Sequence, residues 1–280
     1  MELKWRNNLN QANEKKRKLQ NETGVHSSFS KEKAPSTRSI NRRYFLRGIG
    51  AFAASVLTFR AEGASEAGRR GKTGLASVTV DKITQSKFTL PDAILKGKLS
   101  LEEAILSRRS RRKFSSKPIT LSQLSQLLWS AQGVTGEEQG IKLRTAPSAG
   151  ALYPIDIYVV LPTRVYHYQP HIHALERITE DDKRTGLAIA ALAQEFIAAA
   201  SVNLVITAEY ERSMIKYERR GVRYSIIEAG NISQNIYLQA EVLGLSTVAV
   251  GAFDDGRVQK ALKLPKRHRP LLIMPVGYSL

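Results

Sequence analysis

Along the last two-thirds of the chain, apolar residues recur with two alternating periods, one helical and one strand-like. Ser100-Leu101-Glu102-Glu103 is a capping box that predicts a helix through about Ser107. Thr120 with Gln123 opens a second helix, with Leu121, Leu124, Leu127 and Leu128 on one face. Ile155 to Leu161 reads as a strand, and Arg164 to Tyr168 with Ala174 to Ile178 as a hairpin around Pro170. Asp181 to Ala200 predicts one alanine-rich amphipathic helix, followed by a buried strand over Val202 to Ala208. A long helix is expected from about Tyr224 to Leu243, with Ile232, Ile236, Ala240 and Leu243 on one stripe and Gly244 as its C-cap. Thr247 to Val250 is a strand, Gly256 to Leu262 a short helix and Pro270 to Val276 a last strand. The order implies an α+β fold without internal repeats or a second domain.

The pattern changes before this region. The chain of 280 residues carries a net charge of +18, and residues 1–70 hold 15 Lys and Arg against 6 Asp and Glu. A basic tail suits nucleic acid or anionic surfaces, but this one contains a more specific order. Arg42-Arg43-Tyr44-Phe45-Leu46 precedes a weakly apolar stretch, Gly48 to Phe59, and then small residues up to Ala67. Charged segment, short apolar segment and small-residue cleavage site make up a secretory signal, and the arginine pair resembles the twin-arginine export motif. The apolar stretch is well short of the roughly 20 residues that span a bilayer. The expected organisation is a disordered leader and signal over 1–67 and one folded domain over 68–280, in the periplasm of a bacterium and a client of the twin-arginine translocation machinery. Removal of the leader would take half of the excess positive charge with it, which argues against nucleic acid as a partner. There is no cysteine, so thiolate metal sites, iron–sulfur clusters and a cysteine nucleophile are excluded.

Three segments carry candidate chemistry. Ser107-Arg108-Arg109-Ser110-Arg111-Arg112-Lys113 has no acid between Glu103 and Glu137; guanidinium forks beside a hydroxyl suit a phosphate, although a basic run is as often a solvated face. Arg144-Thr145-Ala146-Pro147-Ser148-Ala149-Gly150-Ala151-Leu152-Tyr153-Pro154 lies directly before a strand, and its small residues let backbone approach a flat ligand; an ordinary loop of tight turns is the alternative. Val250-Gly251-Ala252-Phe253-Asp254-Asp255 joins a strand end to a helix start.

In this order, and together with Glu228-Ala229-Gly230-x-x-x-Gln234-Asn235 and the terminal Pro275-Val276-Gly277, these segments resemble the nitroreductase superfamily, more closely its SagB-type branch of thiazoline-oxidase-like dehydrogenases. The resemblance runs from Leu101 to Gly277. It implies a central, mostly antiparallel sheet flanked by helices, in an intertwined homodimer with FMN at the interface. Arg108, Arg109, Ser110 and Arg112 would hold the FMN phosphate and ribityl chain. Pro147, Ser148, Ala149, Gly150, Ala151 and Leu152 would line the ring, usually from the partner subunit. Val250, Gly251 and Ala252 would lie near flavin N5. The chain ends three residues past Gly277, so phosphate binding is expected to rest on the first arginine cluster, with weaker FMN affinity than is usual in the family.

The branch also carries a Lys-Tyr pair, matched here by Lys216-Tyr217 ahead of Arg219, Arg220 and Arg223. The resemblance implies that the pair handles the proton accompanying hydride loss; as residues alone, they equally form a charged surface segment before a helix. The function implied is FMN-dependent hydride transfer with an unidentified small-molecule or peptide substrate. The periplasm offers little NAD(P)H, which favours another electron donor. A non-catalytic flavin- or peptide-binding relative and a basic nucleic-acid or anionic-surface binder are the rival classes. His167, His171 and His173 near Pro170 are expected to be exposed rather than to form a metal site, Trp129 to be core, and Lys263 to Arg269 to be a solvated loop.

Overall fold

Leu204 and Ile206 on strand β7 (Val202–Ala208) join one hydrophobic core while Val205 joins another, so every residue of the strand is buried. A strand buried on both faces must be central. The computed structural model describes residues 78–280, and places β7 within a seven-stranded sheet in the order β1-β6-β5-β4-β7-β9-β8. The other strands are β1 (Lys87–Thr89), β4 (Ile155–Val160), β5 (Val165–Gln169), β6 (Ala174–Thr179), β8 (Ser246–Thr247) and β9 (Arg269–Gly277). All their pairings are antiparallel; Ile155 to Val160 face Ala208 to Asn203, and Val202 faces Val276.

The two-residue alternation of strand side chains sorts the apolar residues into two layers. Ile157 and Val159 of β4 pack with Leu124, Leu127 and Leu128 of helix α2 (Leu121–Gln132) and with Ile232 and Ile236 of a long helix, α6 (Arg220–Val242). Tyr158 and Val160 pack on the other face with Leu187 of α3 (Arg184–Ala190), Ile197 of α4 (Glu195–Ala199) and Val258 of α7 (Asp255–Leu262). Helix α1 (Leu101–Ser107) and α2 open on the two expected capping boxes, with Ser100 accepting from the Glu103 amide at 3.2 Å and Thr120 from the Gln123 amide at 3.2 Å.

Several expectations need correction. The single helix over Asp181 to Ala200 is two short helices. Leu192 and Ala193 take left-handed φ of 57° and 59°, and the Ala190 carbonyl is claimed by the Asp254 amide at 2.9 Å. Tertiary hydrogen bonds there outweigh the helix propensity of alanine. A short helix, α5 (Tyr210–Tyr217), precedes α6, and α6 begins four residues earlier than its apolar stripe suggests. Only Ser246–Thr247 forms a ladder at the sheet edge; Val250 returns to β9 through an isolated bridge to Ile273. A hairpin of β2 (Val134–Glu138) and β3 (Ile141–Arg144) turns at Gln139 and Gly140, both with positive φ (50° and 79°), as a two-residue I′ connection requires. Its strands are short and mostly exposed, and only the four residues of β3 alternate apolar with polar, too brief a run to stand out. The leader, the twin-arginine segment and the boundary at residue 67 lie outside the described residues. No helix among the described residues is long and apolar enough to cross a membrane.

Helices α5 and α6 approach closely because Gly221 lacks a side chain: a Cβ there would stand 2.7 Å from the Met214 amide nitrogen and 2.7 Å from the Ser213 carbonyl carbon. Both obstacles are backbone, so Gly221→Ala must push the helices apart. The expected loss is about 1–3 kcal/mol of stability, the usual cost of overpacking, read by denaturant unfolding. An unchanged midpoint would show that α5 is held independently of α6.

Candidate active site

The arginine segment leaves α1 along the sheet edge. Ser110 bridges to Thr247 of β8, and the Arg111 amide donates to the Thr247 carbonyl at 3.0 Å. The Tyr237 hydroxyl, projecting from α6, meets Ser110 Oγ at 3.0 Å and accepts from the Ala249 amide at 2.7 Å. The Arg108 guanidinium lies over the Tyr237 ring, 5.1 Å from its centroid. One tyrosine therefore joins the arginine segment to the strand end that leads into Val250, Gly251 and Ala252. Val250 is buried, whereas Gly251 and Ala252 are exposed, with the Ala252 carbonyl accepting from Gln194 Nε2 at 3.0 Å.

The cations are not all free, as the local sequence suggested. Glu241 of α6 pairs with Arg111 and accepts from the Arg109 amide, supplying a counter-charge from 130 residues away in sequence. Arg108, Arg109 and Arg112 make no ion pair among the described residues.

The small-residue segment is held apart from that group. The Tyr153 amide donates to Ser148 Oγ at 2.9 Å, closing a tight turn in which Gly150, Ala151 and Tyr153 all have positive φ (63°, 53° and 46°). Left-handed backbone at Ala151 and Tyr153 is strained, and such strain persists where surrounding structure imposes it. Pro147, Ser148 and Ala149 border a hollow shared with Tyr224, Ile227, Glu228 and Asn231 of α6. On the other side, a Cβ on Gly150 would stand 2.7 Å from Tyr217 Oη and 3.1 Å from Lys216 Nζ. The Lys216-Tyr217 pair, over sixty residues downstream, thus packs against the centre of this segment, at a residue whose left-handed φ favours glycine. Tyr217 is half-buried and packs edge-on to Tyr224, with ring centroids 5.1 Å apart; Lys216 is exposed. Arg219, Arg220 and Arg223 make no hydrogen bond to either.

Two groups therefore form in one chain. Arg108, Ser110 and Ala249 meet at Tyr237; Ser148 borders Glu228, with Lys216 and Tyr217 against Gly150 on the other side of the turn. Along α6 the two anchor residues are about 13 Å apart at 1.5 Å per residue.

Glu228 and Arg144 are the site residues that sequence reasoning did not assign. Glu228 is 2% exposed and accepts from Gln132 Nε2 at 3.2 Å, while Arg144 Nη1 donates to Gln132 Oε1 at 2.6 Å. Burial pushes the Glu228 carboxyl up to about 7, against the opposing pull of Ser148, Arg144, Arg212 and Gln132. The signal in sequence was a glutamate at a position that α6 turns toward the core.

His171 is exposed as expected, but His167 and His173 are half-buried. His173 Nδ1 meets Tyr168 Oη at 2.8 Å and its Nε2 meets Ser125 Oγ at 2.7 Å, while His167 stacks on Tyr158 and bonds to Asp156 at 3.0 Å. His268, read as part of a solvated loop, is 4% exposed. Asp156, Glu209 and His268 have the spacing of a metal site, but Arg212 Nη2 already lies 2.9 Å from Asp156 Oδ2 and 2.6 Å from Glu209 Oε2, filling the position a cation would take. Trp129 is half-buried in the wall of a groove rather than in the core.

Residues 105–278 match the nitroreductase family. The chain belongs to that family. It is 46% identical over 197 residues, 68% of this chain and 96% of the other, to MJ1384 of Methanocaldococcus jannaschii, a candidate nitroreductase. It is 28% identical over 171 residues to the microcin B17-processing protein McbC of Escherichia coli, covering 57% of this chain and 62%, under two-thirds, of McbC. The crystal structure of a candidate nitroreductase from Ralstonia eutropha superposes with a TM-score of 0.64 at 30% identity, over 74% of this chain and 96% of that one. The antiparallel sheet with helices on both faces is thus a nitroreductase-like fold.

The raised pKa of Glu228 has a consequence for stability. The folded protein keeps this proton to a higher pH than the unfolded chain does, so stability falls as pH rises from about 4.5 to about 7 and stays reduced above that. Glu228→Gln should flatten the fall and leave the variant more stable than the parent at pH 8, by up to ~3 kcal/mol. Urea unfolding at pH 5, 6, 7 and 8 measures it; parallel curves for the two proteins would place the titration elsewhere.

Proposed function

We propose that this protein is an FMN-dependent oxidoreductase of the SagB-like type, acting as a homodimer on a small-molecule or peptide substrate. The observation that carries the proposal is the junction at Tyr237, which ties the arginine segment to the strand end before Gly251. The donor set fits a phosphate-bearing cofactor. Arg108 and Arg112 have no carboxylate partner, the Ser110 hydroxyl is adjacent, and Thr247 Oγ1 beside it is buried without a hydrogen-bond partner. Arg108, Arg109, Ser110 and Arg112 would hold the phosphate and ribityl end, and Val250, Gly251 and Ala252 would offer backbone to the ring. When bound, FMN supplies hydride exchange at its N5 atom.

The ring-lining segment from Pro147 to Leu152 would serve the cofactor held by the partner's arginines, as the family resemblance implies. A second copy would bring it there, and Ile226 and Ile227, 52% and 54% exposed on α6, support such an interface. Lys216 and Tyr217, held on Gly150, would then face the substrate and take the proton that leaves as it is oxidised. Likeness to McbC supports the SagB-like assignment over an NAD(P)H-driven nitroreductase. Export by the twin-arginine route rests on Arg42-Arg43 and the stretch after it; cell fractionation of Arg42-Arg43→Lys-Lys against the parent tests it, and wild-type periplasmic levels would end it.

Arg108→Ala and Arg112→Ala should each weaken FMN binding by about 1.5–3 kcal/mol, the worth of a charge-assisted hydrogen bond. Stoichiometric FMN retained by the double variant through gel filtration would contradict the phosphate site. Lys216→Ala/Tyr217→Phe should instead keep its flavin and slow substrate-driven bleaching of the oxidised band by about 10²–10⁴-fold in anaerobic stopped flow. An unchanged rate would return the pair to a packing role.

A further inference from the structure

A cavity of about 510 Å³ lies between β3, the β4–β5 face and the start of α5. It borders Ala151, Leu152 and Tyr153, on the far side of the strained turn from Glu228. Its size falls in the range of small-molecule sites. Leu152, Ile157, Tyr168 and Pro170 give it an apolar and aromatic wall, while Lys142, Arg144 and Arg212 bring three cations to its lining.

The cations differ in how they are compensated. Arg212 is paired with Asp156 and Glu209. Arg144 has only neutral partners in contact: Gln132 Oε1 at 2.6 Å, His171 Nε2 at 3.1 Å and the face of the Tyr153 ring at 4.4 Å. Its Nε is shielded from solvent and has no hydrogen-bond partner. A guanidinium has five N–H donors, so these contacts leave Nε–H and the second hydrogen of each Nη unassigned. Glu228 lies one residue further, behind Gln132, and Asp156 and Glu209 are engaged by Arg212. Lys142 makes no ion pair among the described residues. The ring of His171 is held toward its neutral form by burial and by the positive charges of Arg144 and Lys142.

We infer that this cavity binds the carboxylate of a small aromatic molecule, with Arg144 as the fork that receives it and Lys142 as a second charge at the rim. A partly buried cation without an anionic partner is costly, and a carboxylate matches the planar guanidinium geometry in a way that a neutral group does not. The aromatic wall sets the rest of the ligand. Binding does not depend on the flavin; the ligand's role as substrate rests on the flavin reading, through the shared turn at Ala151–Tyr153.

Isothermal titration calorimetry of the purified full chain with hippurate tests the inference, with its uncharged counterpart N-benzoylglycinamide and with inorganic phosphate as comparison ligands. Hippurate should bind saturably with one site per chain, and the neutral amide and phosphate at least about tenfold more weakly, as loss of a charge-assisted bond predicts. Arg144→Lys keeps the charge without the fork and should weaken hippurate about tenfold. Lys142→Glu, at an exposed position that tolerates change, should weaken it whether or not the Arg144 variant folds. Equal affinity for hippurate and its amide, tighter binding of phosphate, unchanged affinity in Lys142→Glu, or no saturable binding would each overturn the site. The visible spectrum of the same sample separates the two readings. A colourless protein that binds hippurate retires the flavin and keeps this site, and a yellow one that does not bind it does the reverse.

Discussion

The hydroxyl of Tyr237 is shared by Ser110 and the Ala249 amide, and the geometry of one end of the site depends on that sharing. A phenol can donate once and accept from others, so it can join two segments only if α6 presents it at the edge where β8 ends. Ile232, Ile236 and Ala240 hold α6 against the sheet through the larger core, and this packing sets the height of Tyr237. The arginine segment then docks beside Thr247 with Arg108 stacked on the same ring. Glu241, one turn further along α6, neutralises Arg111 and leaves the neighbouring arginines for other anions.

The N-terminal half of α6 does a different job. Glu228 enters the buried space beneath the Ser148 turn, where desolvation keeps its proton near neutrality, and Gln132 links it to Arg144. That link connects two cavities on opposite sides of the turn. The turn itself is strained at Ala151 and Tyr153 and is braced by Ser148 Oγ, by Lys216 and Tyr217 against Gly150, and by the Arg212 bond to the Tyr153 carbonyl. A rigid, strained backbone with polar groups behind it suits a surface that must meet a flat ligand without yielding.

Much of this was legible in sequence. Strands β4, β7 and β9 and helix α2 announce themselves because their burial follows a simple period, and both capping boxes are local chemistry. The motif segments were readable because small residues and clustered arginines are unusual in that order. What was not legible came from contacts between distant parts of the chain. The break at Leu192 arises because Asp254 takes a helix carbonyl; the Glu241 counter-ion lies 130 residues from Arg111; and the meeting of Lys216 and Tyr217 with Gly150 needs α5, a helix whose residues show no long apolar stripe. The β2–β3 hairpin is mostly solvated and its only alternation is the four residues of β3, yet it supplies Lys142 and Arg144 to the cavity wall.

The central claim is that a flavin site is completed between two copies of the chain, with the arginine segment of one and the segment from Pro147 to Leu152 of the other. Light scattering coupled to gel filtration, with absorbance recorded across the visible range, tests this directly. A particle of twice the chain mass carrying one FMN per chain is the predicted result. A monomer that retains stoichiometric FMN, or a colourless dimer that takes up none when FMN is added, would contradict it.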